Sequence, residues 1–82
     1  MTDIIQGTGA QIVKEEYQPC EQHGGAHLTK TTIAEKGSTR VQVTQVKGGE
    51  TEAHISRGSK IESHYGTDES AKSWLKEQLR GE

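Results

Sequence analysis

From residue 24 onward the chain alternates short β-branched runs with glycine marks. Gly24–Gly25, Gly37, Gly48–Gly49, Gly58 and Gly66 fall at the roughly 8–12-residue spacing of antiparallel strands joined by tight turns. The runs between them are HLTKTTIA (27–34), TRVQVTQVK (39–47), TEAHISR (51–57) and KIESHY (60–65). Each alternates or is β-branched, as a half-buried strand requires. Glu35-Lys36-Gly37-Ser38 reads as a short hairpin loop, Gly48-Gly49 as a two-residue turn, and Gly58-Ser59 as another turn. Residues 10–17, with Ile12, Val13 and Tyr17, predict one more strand, although Glu15-Glu16 suits a helical turn equally well. Pro19 has no N–H to give a ladder, so this strand ends before it or lies at an edge. Residues 20–25 are expected as a loop.

The period changes after Gly66. Residues 67–80 hold no Gly or Pro. Thr67 suits an N-cap, and Asp68 and Glu69 sit at the positive end of the helix dipole. Ala71, Trp74, Leu75 and Leu79 form one apolar stripe, Lys76 and Arg80 suit the negative end, and Gly81 stops the helix. The expected fold is α+β: a four- to five-stranded antiparallel meander with one C-terminal helix packed on one face. It forms a single two-layer domain over residues 10–82. Residues 1–9 are expected as a flexible lead, because Gly7-Thr8-Gly9 interrupts whatever Ile4 and Ile5 begin.

Alternation also assigns faces. Ile33, Val41, Val43, Ala53, Ile55, Ile61 and Tyr65 are expected under the helix. Lys30, Thr32, Arg40, Gln42, Thr44, Glu52, His54, Ser56, Lys60, Glu62 and His64 are expected on the solvated face, which then carries no aromatic residue. Leu28 and Val46 break the alternation and mark a bulge or an exposed apolar spot near each.

Composition narrows the function. A chain of 82 residues with 28% hydrophobic content and no Phe builds a core giving only ~3–5 kcal/mol, so partner binding or self-association is expected to add stability. Formal net charge is −2. Lys14 against Asp3, Glu15, Glu16 and Glu21 makes the first third acidic. Lys30, Lys36, Arg40, Lys47, Arg57 and Lys60 against Glu35, Glu50, Glu52 and Glu62 make the middle mildly basic. A lone Cys20 rules out an intramolecular disulfide and favours a reducing compartment. The opening Met1-Thr2-Asp3-Ile4-Ile5 lacks the features of a signal peptide, and no apolar run is long enough to span a bilayer. A cytoplasmic location is expected.

Few residues carry chemistry. Cys20, His23 and His27 have C-x2-H-x3-H spacing, with His54 or His64 as a conceivable fourth ligand, but no second ligand pair completes a zinc site. Gly7-x-Gly9 lacks the third glycine and the following Lys-Ser/Thr of phosphate-binding loops. Glu62, His64 and Tyr65 are the acid–base candidates, and an open sheet face gives them no shelter from water. Neither catalysis nor a cofactor is expected.

The ending GTDESAKSWLKEQL (66–79) resembles the helix that follows a three-stranded sheet in double-stranded-RNA-binding domains. It is also similar to the Ala-x-x-Trp-Leu helix of the arm-type DNA-binding domains of tyrosine recombinases. Asp68 and Glu69 stand where the first family grips phosphate with lysines, and the second implies a more basic, aromatic sheet. Neither resemblance is accepted as membership.

The expected function is therefore non-enzymatic. A protein partner would dock on Lys30, Arg40, His54, Arg57, Lys60, His64 and Trp74, the last as a hydrophobic anchor where it escapes the core. Small single-domain inhibitors and regulators, such as those carried by phages and other mobile elements, have this size and this lack of catalytic groups, an analogy at the level of architecture only. A homodimer through an edge strand is also expected. The alternative is a nucleic-acid-binding module using Lys30, Arg40, Lys47, Arg57 and Lys60.

Overall fold

The computed structural model describes residues 4–20, 27–47 and 49–80. Five strands run β1 (Gln11–Cys20), β2 (His27–Lys36), β3 (Thr39–Val46), β4 (Thr51–Arg57) and β5 (Lys60–Gly66), followed by helix α1 (Asp68–Leu79). Every neighbouring pair is antiparallel and the sheet order is the chain order. The five-stranded meander with one C-terminal helix is thus present. β1 is a strand throughout and contains Pro19, which its edge position permits. Among the described residues, no helix is long and apolar enough to cross a membrane.

Turn length sets which residues face the helix. Gly37-Ser38 and Gly58-Ser59 are two-residue turns with glycine φ of 61° at each and no non-glycine residue at positive φ, the arrangement of type II′ hairpins. They place Lys36 opposite Thr39 and Arg57 opposite Lys60. Opposite residues share a face, so the helix side passes from even-numbered positions on β2 to odd ones on β3, and from odd on β4 to even on β5. The β3–β4 connection is longer than the two-residue turn expected, with Val46 and Thr51 as its flanks. It sets Val41 against Ile55 and Val43 against Ala53, so odd numbers stay together there.

Eight expected faces are therefore reversed. Ile33, Ile61 and Tyr65 lie on the open side, where Ile61 is 69% and Tyr65 55% exposed. Lys30, Thr32, Lys60, Glu62 and His64 lie on the helix side. Val41, Val43, Ala53 and Ile55 are where alternation put them, completely buried.

The core joins those four and Ala34 to Ala71, Leu75 and Leu79 of α1, with Trp74 partly buried against them. Thr67 caps the helix, its hydroxyl accepting from Ser70 N at 3.1 Å. Thr51, buried on β4, donates to the Asp68 carboxylate in the first turn.

Residues 4–8, part of the lead expected to be flexible, pack into this core. Ile4 and Ile5 are 2% and 3% exposed. Helix α1 lies against β4 and β5, so these two isoleucines fill apolar space that a single helical stripe does not reach. Thr8 fixes the bend: its hydroxyl donates to Ile5 O at 2.6 Å and accepts from Ala10 N at 3.2 Å. Lys36 Nζ then donates both to Thr8 O (3.3 Å) and to Leu79 O (2.8 Å). Arg57 donates to Gln78 O beside it. Two cations from the sheet thus cap the negative end of α1.

Lys36→Met keeps the alkyl stem and removes the ammonium. It is expected to lower stability by about 1.5–3 kcal/mol, the range for hydrogen bonds to a charged group, read as a lower urea midpoint. An unchanged midpoint would show that the clamp contributes nothing.

Candidate binding surface on the open face of the sheet

Among the described residues, no helix covers the second face of the sheet. Its central row crosses all five strands as Lys14, Ile33, Gln42, His54 and Ser63. The neighbouring row is Glu16, Thr31, Thr44, Glu52 and Tyr65, and on the other side Glu35, Arg40, Ser56 and Ile61 stand together. Hydroxyl and amide side chains dominate the middle.

His54 is the most constrained of these groups. Its Nδ1 is hydrogen-bonded to Ser63 Oγ at 2.8 Å, its Nε2 is 3.7 Å from Glu52 Oε2, and its ring meets Tyr65 edge-on at 6.0 Å. Next to it lies a depression of ≈ 350 Å³ lined by Arg40, Gln42, His54, Ile55, Ser56 and Ile61. Serine, histidine and carboxylate stand in the order used for nucleophile activation. The geometry is nevertheless that of a cross-strand polar cluster. The carboxylate is beyond hydrogen-bond distance, and Ser63 is exposed on an edge strand. The cluster holds the imidazole in a fixed orientation at the rim of the depression.

The seven candidate binding residues do not form one surface. Arg40 and His54 are on the open face; Lys30, Arg57, Lys60 and His64 are on the helix side, with Trp74 on the helix itself. Lys30 has only 12% of its side chain exposed, is 3.6 Å from Glu15, and sits 5.6 Å from the Tyr17 ring centroid. Arg57 and Lys60 both meet Glu62, each at 3.4 Å. His64 stacks under Trp74 with centroids 5.4 Å apart and planes 17° from parallel. Its Nε2 is 3.2 Å from Ser70 Oγ, which donates to Thr67 O at 3.0 Å. Trp74 is thus fixed by a histidine on one side and the core on the other.

Gln42, Ser56, Ile61, Ser63 and Tyr65 share the open surface and were not among the residues expected to bind a partner, although Gln42 and Ser56 were expected on the solvated face and Tyr65 was an acid–base candidate. The two-residue length of Gly58-Ser59 is the signal that finds the last three, because it dictates that Ile61 pairs with Ser56 rather than Ile55. Tyr65 also supplies an aromatic to a face expected to have none.

The metal candidates lie mostly outside the described residues. Cys20 and His27 are backbone partners at the end of the β1–β2 ladder; their side chains, and His23 altogether, are outside what is described. His54 and His64 occupy opposite faces, so at most one of them could join any such site. Among the described residues, no group of three or more His, Cys, Asp or Glu is placed to hold a metal ion. Comparison with protein families, with curated proteins and with solved structures finds no match to this chain.

Proposed function

We propose that this chain is a non-enzymatic binding module whose open sheet face receives a protein partner, acting as an inhibitor or regulator of that partner. The observation that carries this reading is the five-stranded face itself, which no helix covers among the described residues. It presents short polar side chains, the fixed His54 and the depression beside Arg40 and Ile61. Mixed polar, arginine and aromatic character is what protein interfaces favour. The charge balance favours the same class of partner. Lys14 and Arg40 stand against Glu16, Glu35 and Glu52 on this face, an unfavourable field for a polyanion. Small regulators carried by phages and other mobile elements offer an analogy of size and of few catalytic groups.

Arg40→Glu and Gln42→Lys change exposed positions in mid-sheet and test the reading. A partner captured from the native host by the wild-type chain is purified and titrated against both variants, with Glu77→Lys on the exposed side of α1 as a control. Each face variant is expected to weaken binding at least about tenfold, and the control to leave it unchanged. Equal binding by all four chains refutes the reading. Capture of DNA or RNA, with affinity falling steeply as salt rises, transfers the face to nucleic acid.

A further inference from the structure

We propose that β5 is a self-association edge, on which two copies of the chain pair antiparallel about a two-fold axis at Ser63 to form one ten-stranded sheet. This goes beyond the open-face reading and does not depend on it.

Among the described residues, no strand pairs with the outer edge of β5. β5 is an outer strand, joined to β4 by the two-residue Gly58-Ser59 turn. Such a turn makes Arg57 and Lys60 the hydrogen-bonded closing pair. Alternation along an antiparallel ladder then bonds Ile55 with Glu62 and Ala53 with His64. The N–H and C=O groups of Ile61, Ser63 and Tyr65 are left pointing away from β4, a template for another strand.

The side chains are self-complementary about Ser63. With two Ser63 residues opposite each other, Ile61 of one copy faces Tyr65 of the other, twice, on the open side. These are the large apolar side chains that β5 leaves most exposed, at 69% and 55%. On the helix side, Glu62 faces His64, a carboxylate acceptor opposite an imidazole, and Lys60 faces Gly66. Each pairing occurs twice, as an isologous interface requires. Moving the axis to Glu62 sets two glutamates against each other and Ile61 against Ser63, which disfavours that register. An axis at Ser63, the middle of the seven-residue strand, leaves every β5 residue with a partner.

The other edge is built against such pairing. β1 has a register shift between Ile12 and Lys14 and carries Pro19, both features that blunt an edge. A two-fold axis at Lys14, Glu15 or Glu16 opposes like charges in every case. β5 has neither bulge nor proline.

Sedimentation equilibrium on the full chain, in reductant to silence Cys20, tests the proposal. The wild type is expected to reach twice its 9.0 kDa mass at a concentration of about 100 μM. Ile61→Lys alters a side chain exposed in the single copy, so the fold is retained, checked by circular dichroism. It is expected to weaken dimerisation about tenfold or more, since two cross-strand pairs are lost per dimer. In a Cys20→Ser background, Ser63→Cys is expected to trap an interchain disulfide, because hydrogen-bonded partners lie within disulfide reach. Gln18→Cys on β1 is expected to trap none. A monomeric wild type overturns the proposal. So does a dimer whose dissociation constant Ile61→Lys leaves unmoved, or trapping at Gln18→Cys in place of Ser63→Cys. Arg40→Glu and Gln42→Lys, which test the open face, are expected to leave dimerisation unchanged, so the two readings fail separately.

Discussion

Leu75→Ala is expected to leave the chain largely unfolded at room temperature. Leu75 is completely buried on the α1 stripe, between Ala71 and Leu79, and packs in the cluster that includes Val43 and Ile55. Truncating a buried leucine costs about 3–5 kcal/mol, because the cavity left behind collapses only in part. A single core in a domain this small supplies ~3–5 kcal/mol in total, so the loss matches the whole reserve. Far-UV circular dichroism through a urea titration, at one fixed protein concentration, reads the effect as loss of the folded baseline. A Leu75→Ala chain that keeps the wild-type midpoint would remove Leu75 from the core. Leu75→Met, which conserves volume, is expected to cost less than about 1.5 kcal/mol and to remain folded.

The second large effect lies at the opposite end of the described residues. Ile4→Ala and Ile5→Ala are each expected to destabilise by about 2–5 kcal/mol, and the pair together to abolish cooperative unfolding. Both side chains are almost completely buried, although they precede the first strand. Gln11→Ala, at an exposed position on β1, serves as the control and should fall within about 0.5 kcal/mol of wild type. Equal urea midpoints for Ile5→Ala and Gln11→Ala would show that the lead merely rests on the surface. The concentration is held constant here as well, because self-association would couple stability to it.

Much of the architecture was legible in the sequence for local reasons. Thr67, the two acids after it and the stripe Ala71, Leu75 and Leu79 specify α1 within one segment of chain. The glycine marks separate the strands in the same local way. Faces were less legible, because alternation within a strand says nothing about how it carries across a turn. Carrying odd numbers through Gly37-Ser38 and Gly58-Ser59 puts Ile33, Ile61 and Tyr65 in the core; the two-residue closures exchange them for Ala34, Glu62 and His64. For β5 the price is steep: Glu62 and His64 face the helix layer while an isoleucine and a tyrosine face water. That exchange turned an expected polar patch of histidines and lysines into two separate surfaces. Ile4 and Ile5 were illegible for a different reason. Their burial depends on the apolar space α1 leaves uncovered, a property of the assembled layers that no local pattern contains.

The ammonium of Lys36 reaches carbonyls on residues 8 and 79, 28 and 43 positions away in opposite directions along the chain. This one nitrogen therefore closes two long loops at once, and loops of this kind form late because their closure entropy must be met before the contact rewards it. During synthesis the strands can pair in order as they emerge, each with the one before it. The clamp cannot be completed until the last turn of α1 has left the ribosome. Ile4 and Ile5 precede the sheet and helix that bury them, so the nascent chain carries two uncovered isoleucines until those layers have emerged.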